Sequence, residues 1–180
     1  DKYNINKEIK NKKNIWKNKS YPYMSLERFA IPMISTISAG KSSTLNYLLN
    51  IKRNKLQIGE SITTKFCVII RHKKGYKKGK IYNTTIEKRA DINKYNFYKG
   101  NEIKGDIKLF IEERNQLIES LQNKDQEVKD PSLYFIIMEI NTGLFEDEYE
   151  KYSHLVEFID TPGLNEKSVQ KNFYFKNVLP

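Results

Sequence analysis

The run "STISAGKSST", Ser35 to Thr44, has side chains of the right types and spacing to hold a phosphate. It follows G-x-x-x-x-G-K-[ST] at every fixed position but the first, where Ser35 replaces glycine. In such a loop successive backbone N–H groups and a helix N-terminus turn donors and a positive dipole end toward an anion. Gly40 lets the backbone come close without a Cβ in the way. Lys41 would reach the β- and γ-phosphates, and the Ser42 hydroxyl would ligate Mg²⁺. Ser35 costs about 1 kcal/mol if it must adopt a positive φ, a strain that phosphate binding tolerates.

Two further stretches fit the same chemistry. "HLVEFIDTPGL" is an apolar strand ending in D-x-x-G. Its Asp160 would hold Mg²⁺ through water, and the Gly163 N–H would sense the γ-phosphate. "IGESITTKF" supplies Thr63 and Thr64 just before a strand. A loop threonine there would cover the metal and help place the attacking water, and Thr63 is preferred for that role over Thr64.

These residues need a scaffold. "RFAIPMIS" (28–35) predicts a strand, with Pro32 inside it, and "KSSTLNYLLN" (41–50) predicts a helix with Leu45, Leu48 and Leu49 on one side. "TKFCVIIRH" (64–72) and "KIYNTTIEKR" (80–89) predict two strands paired as a hairpin across a basic turn. Asp106 is a candidate N-cap for a long amphipathic helix through Ile107, Phe110, Ile111, Leu117, Ile118 and Leu121. Strands follow at 132–140 and 154–160. The Tyr-rich "DINKYNFYKG" (91–100) reads as a packed insertion. Strands alternating with helices predict an α/β layered sheet flanked by helices.

The 180 residues, 38% apolar, suffice for one core, and nine Phe and twelve Tyr argue against disorder. The formal charge of +10 favours an anionic partner, with much of the excess in residues 6–19 and 71–80. Residues 1–27 read as a basic arm or surface helix. The sole cysteine, Cys67, lies in an apolar run and reads as a buried structural thiol in a reducing, cytoplasmic setting. No 18-residue apolar run marks a membrane span. His72 and His154 lack partners at metal-ligand spacing.

Taken together, "SAGKSSTLNYLL", "ITTKF" and "FIDTPGL" resemble the large GTPases of the dynamin superfamily, as does the long interval between Lys41 and Asp160. The resemblance spans roughly residues 28–170. It implies a P-loop NTPase fold, GTP and Mg²⁺ as ligands, and hydrolysis of the γ-phosphate. It also implies self-association through the GTPase domain and membrane remodelling, fission or tethering by a protein peripheral to a lipid surface. By the same carry-over the phosphate loop comprises Ser35, Thr36, Ile37, Ser38, Ala39, Gly40, Lys41, Ser42 and Ser43. Ser38 then lies near the β–γ bridging oxygen, Thr63 is the catalytic switch threonine, and Asp160 and Gly163 form the second switch. Residues 28–180 then form the N-terminal part of a truncated GTPase domain, which stops before the guanine-reading [NT]-K-x-D segment.

Two rival readings stay open. Ser35 and Ile37, the latter at a family glutamine position, suggest a nucleotide-binding scaffold with little turnover. The basic charge suggests a ribosome-assembly GTPase that binds RNA, although the resemblance makes nucleic acid the less favoured partner.

Overall fold

The computed structural model describes residues 28–34, 40–51, 65–89, 94–123, 130–145 and 147–163. The expected arm at 1–27 lies outside these residues. The strands are β1 (Phe29–Met33), β2 (Cys67–His72), β3 (Lys80–Arg89), β4 (Lys94–Glu102), β5 (Phe135–Ile140) and β6 (Val156–Asp160). The helices are α1 (Lys41–Leu48) and α2 (Ile107–Asn123). Short 3₁₀ turns precede β5 and β6.

The strands form one mixed sheet in the order β1-β6-β2-β5-β3-β4. β1 runs parallel to β6, and β2 runs parallel to β5. β6 is antiparallel to β2, so the C-terminal ends of β1 and β6 lie level with the N-terminal end of β2. Sheet and helices give the expected α/β class.

The strand order corrects one expectation. β2 and β3 do not form a hairpin, because β5 lies between them. β5, FIIMEI, is buried at five of its six positions, and β2 likewise. Strands apolar on both faces belong at the centre of a sheet, where neighbours cover each side. The basic connection instead bridges the end of β5, with Lys73 N–H donating to the Ile140 carbonyl at 2.9 Å and Asn141 N–H to the Tyr76 carbonyl at 3.1 Å. The true hairpin partner of β3 is β4, within the stretch read as an insertion.

Pro32 lies inside β1, as the sequence predicts. Among the described residues β1 is an edge strand, paired with β6 alone, where a missing ladder donor is tolerated.

The helices complete one core. In α1, Leu45 and Leu49 are fully buried four residues apart, whereas Leu48 is 46% exposed, so the apolar stripe is narrower than the sequence suggests. The α1 C-terminus is a Schellman motif. Asn50 takes φ 49°, Ile51 N–H donates to the Asn46 carbonyl at 2.8 Å and Asn50 N–H to the Tyr47 carbonyl at 3.1 Å. Asp106 caps α2, its carboxylate accepting from Lys108 N–H at 2.8 Å. Ile111 and Ile118 of α2 are buried, while Leu117 is exposed.

Arg114, on the buried face of α2, donates to the carbonyls of Leu133 (2.9 Å) and Ser132 (3.0 Å). Its guanidinium also lies 5.4 Å from the ring centres of Phe66 and Phe110. Burial lowers its pKa to about 10 despite the opposing pull of Asp130.

Candidate functional site

The two strands that end together, β1 and β6, each lead into one of the sequence motifs. After Met33 the chain passes to Gly40, which opens α1. Gly40 sits at φ 75°, ψ 22°, in the left-handed region. A Cβ there would meet nothing within 4 Å, so conformation rather than space selects glycine. The cap position therefore brings no side chain to compete for the first-turn N–H groups. Lys41 and Ser42 are half-buried in that turn, and Ser43 is exposed.

Asp160 ends β6, paired in register with Met33 of β1 on one side and Val68 of β2 on the other. This point has a parallel neighbour on one side and an antiparallel one on the other, and ligands of open α/β sheets bind beyond the carboxyl ends of strands. The Ser42 hydroxyl donates to Asp160 Oδ2 at 2.6 Å, so the sheet brings the two motifs into contact. Among the described residues Asp160 Oδ1 is buried without a hydrogen-bond partner. Burial raises the Asp160 pKa, against the hydrogen bond from Ser42 and the charge of Lys41.

A buried carboxylate oxygen without a donor, beside a hydroxyl and a lysine, suits a small hard cation and its phosphate ligand. Ser42 and Asp160 are the residues that could hold Mg²⁺.

Thr161, Pro162 and Gly163 are all buried. The Thr161 hydroxyl donates to the Met33 carbonyl at 2.7 Å. Cys67 is buried, its thiol pKa raised by desolvation and then by Asp160. His72 faces Thr142, its Nδ1 3.0 Å from Thr142 Oγ1.

Ser35, Thr36, Ile37, Ser38 and Ala39 lie outside the described residues, as do Thr63 and Thr64. The residue after them, Lys65, is held by α2. Its N–H donates to Asn115 Oδ1 at 2.9 Å, and its ammonium pairs with Glu119. Arg71 and Glu157, opposite each other on β2 and β6, form a buried ion pair at 2.9 Å. Sequence reasoning missed Thr161, Arg71, Glu157, Arg114 and Asn115. A charged residue within each of the apolar strands CVIIRH and VEFID was the one available signal, and it pointed to a buried pair.

A strand-end aspartate meeting the second residue of a helix that opens with Gly-Lys-Ser defines a nucleoside-triphosphate-binding α/β domain. The family model described as "Dynamin family" matches residues 31–179, and the chain belongs to that family. Its N-terminal domain is a P-loop GTPase domain, which supports binding and hydrolysis of GTP in general. No curated protein and no solved structure matches the chain.

Proposed function

We propose that this protein binds GTP and hydrolyses its γ-phosphate as a dynamin-like GTPase, self-associating through this domain and acting on membranes in remodelling, fission or tethering. The observation that carries the nucleotide part is the 2.6 Å contact of Ser42 with Asp160, whose buried Oδ1 has no hydrogen-bond partner among the described residues. Family membership supports guanine as the base and a membrane as the site of action.

In this reading the backbone from Ser35 to Ser43 wraps the phosphates, with Ser38 near the β–γ bridging oxygen. The Lys41 ammonium offsets charge that develops as the γ-phosphoryl group leaves. Ser42 and Asp160 would hold Mg²⁺ together with Thr63, and the ion would supply positive charge against the phosphates. Thr63 orients the attacking water, and the Gly163 N–H faces the γ-phosphate.

Single-turnover hydrolysis of GTP by the full-length protein tests the proposal. Release of γ-phosphate, lost in Lys41→Ala together with nucleotide binding, is the expected result. Nucleotide binding without phosphate release would favour the scaffold reading, suggested by Ser35 and Ile37. Co-sedimentation with RNA and not with liposomes would count against the membrane role.

A further inference from the structure

β1 and β6 end at the same level and then fork. One arm leads from Met33 toward Gly40, Lys41 and Ser42, and the other is Asp160-Thr161-Pro162-Gly163. The Met33–Asp160 pair is the last rung of their ladder. β6 lacks a backbone donor two residues further on, because Pro162 has no N–H. Just past the rung, the Thr161 hydroxyl reaches across and donates to the Met33 carbonyl at 2.7 Å. Thr161 is only 3% exposed, so water does not compete for that bond.

The bond sets the width of the fork. Asp160 is covalently next to Thr161, and its carboxylate must meet Ser42, which the other arm carries, at 2.6 Å. We infer that Thr161 is a positioning residue for the cation site, its hydroxyl tying the second-switch arm to the start of the phosphate-loop arm so that Asp160 and Ser42 present one shared binding face. Thr161 touches neither nucleotide nor metal in this role. A methyl group of the same size fills its space but leaves the Met33 carbonyl without that donor.

The inference rests on the proposed GTP and Mg²⁺ site, and the test separates the two. Binding of a fluorescent GTP analogue to the full-length protein is measured as Mg²⁺ is titrated, for wild type, T161V, T161A and T161S, with melting temperatures in EDTA recorded alongside. T161V and T161A should raise the Mg²⁺ concentration at half-maximal binding about ten-fold, the size expected for loss of a residue that orients a metal ligand. Affinity in EDTA should stay close to wild type, and T161S should restore the Mg²⁺ midpoint.

A folded T161V or T161A with the wild-type Mg²⁺ midpoint would overturn the inference, even if its melting temperature fell. So would a T161S as impaired as T161V, since the hydroxyl would then not be the agent. Failure of both hydroxyl-free variants to fold would assign Thr161 to stability alone and equally overturn it. Wild-type protein that binds no analogue with or without Mg²⁺ would instead sink the GTPase reading itself.

Discussion

Ser42 Oγ and Asp160 Oδ2, 118 residues apart in the chain, are 2.6 Å apart in space. The hydrogen bond supports an ionised carboxylate in a buried place, which opposes the upward shift that burial imposes. Ser42→Ala should therefore cost about 2 kcal/mol of stability near neutral pH, the scale for a hydrogen bond to a charged group. Denaturant titration in EDTA measures it, and an unchanged midpoint would contradict it.

The Asp160 shift carries a pH signature. Its folded value lies above the ordinary 3.8, so the native state holds the proton more tightly than the unfolded chain. The resulting cost to stability is absent below 3.8, grows as pH rises through the raised folded value, and is fully present above it. Asp160→Asn does not titrate. In metal-free protein its stability relative to wild type should rise with pH through that window and then level off, and a difference flat from about pH 3 to 7 would count against the shift.

The Arg71–Glu157 pair predicts strong non-additivity. The side chains are 10% and 0% exposed, Arg71 also donates to the Phe97 carbonyl at 2.9 Å, and Glu157 Oε1 has no partner among the described residues. Arg71→Met strands a buried carboxylate and should cost about 3–5 kcal/mol, whereas Arg71→Met with Glu157→Leu should recover most of that loss. Guanidinium unfolding of the two single variants and the double variant closes the cycle. Simple additivity would show that the two charges do not depend on each other.

Two contacts to Lys65 should differ in weight. Asn115 accepts from the Lys65 backbone N–H, so Asn115→Ala should cost about 1 kcal/mol. The Lys65–Glu119 pair is partly solvated, with the Glu119 side chain 52% exposed, so Glu119→Ala should cost no more than about 0.5 kcal/mol. Melting curves in low and in about 1 M salt distinguish them, because only the ion pair is screened. Equal losses would contradict the ordering.

His72 adds a second pH dependence of opposite sign. The Thr142 N–H donates to its Nδ1 at 3.2 Å, which requires that nitrogen to be unprotonated. Burial lowers the His72 pKa from 6.5, against the pull of Glu150. The neutral ring's contribution is complete above 6.5 and is lost as pH falls toward the lowered folded value. His72→Gln should flatten the stability profile across that interval, and NMR titration of the ring protons should place the midpoint below 6.5. A midpoint above it would refute the assignment.

Most strands and both helices were legible in the sequence because each carries its own period. α2 is marked by Asp106 and by Ile111 and Ile118, and β2 and β5 by unbroken apolar runs. The pairing was not legible. Nothing local in CVIIRH or KIYNTTIEKR says that FIIMEI, far later in the chain, will lie between them; only competition for the centre of the sheet decides it. β4 was hidden because Lys and Asn are interleaved with Tyr and Phe, which reads as a packed insertion until β3 supplies a partner. The Gly40-Lys41-Ser42 and Asp160 pairing was visible as two motifs, since each is a short backbone solution to one chemical task. The hydroxyl of Thr161 was not, because any residue fits the variable place in D-x-x-G.

The end of α1 away from Lys41 is fastened as well. Gly143, in the turn after β5, donates its N–H to the Leu49 carbonyl at 2.9 Å, and a Cβ there would come within 2.5 Å of the Asn50 side chain. The helix is thus a strut bolted at both ends, to Asp160 through Ser42 and to the β5 turn through Leu49. At 1.5 Å per residue its eight residues span about 12 Å. The Gly143 turn and the carboxylate of Asp160 thus lie at opposite ends of one short rigid element, which fixes the spacing between them.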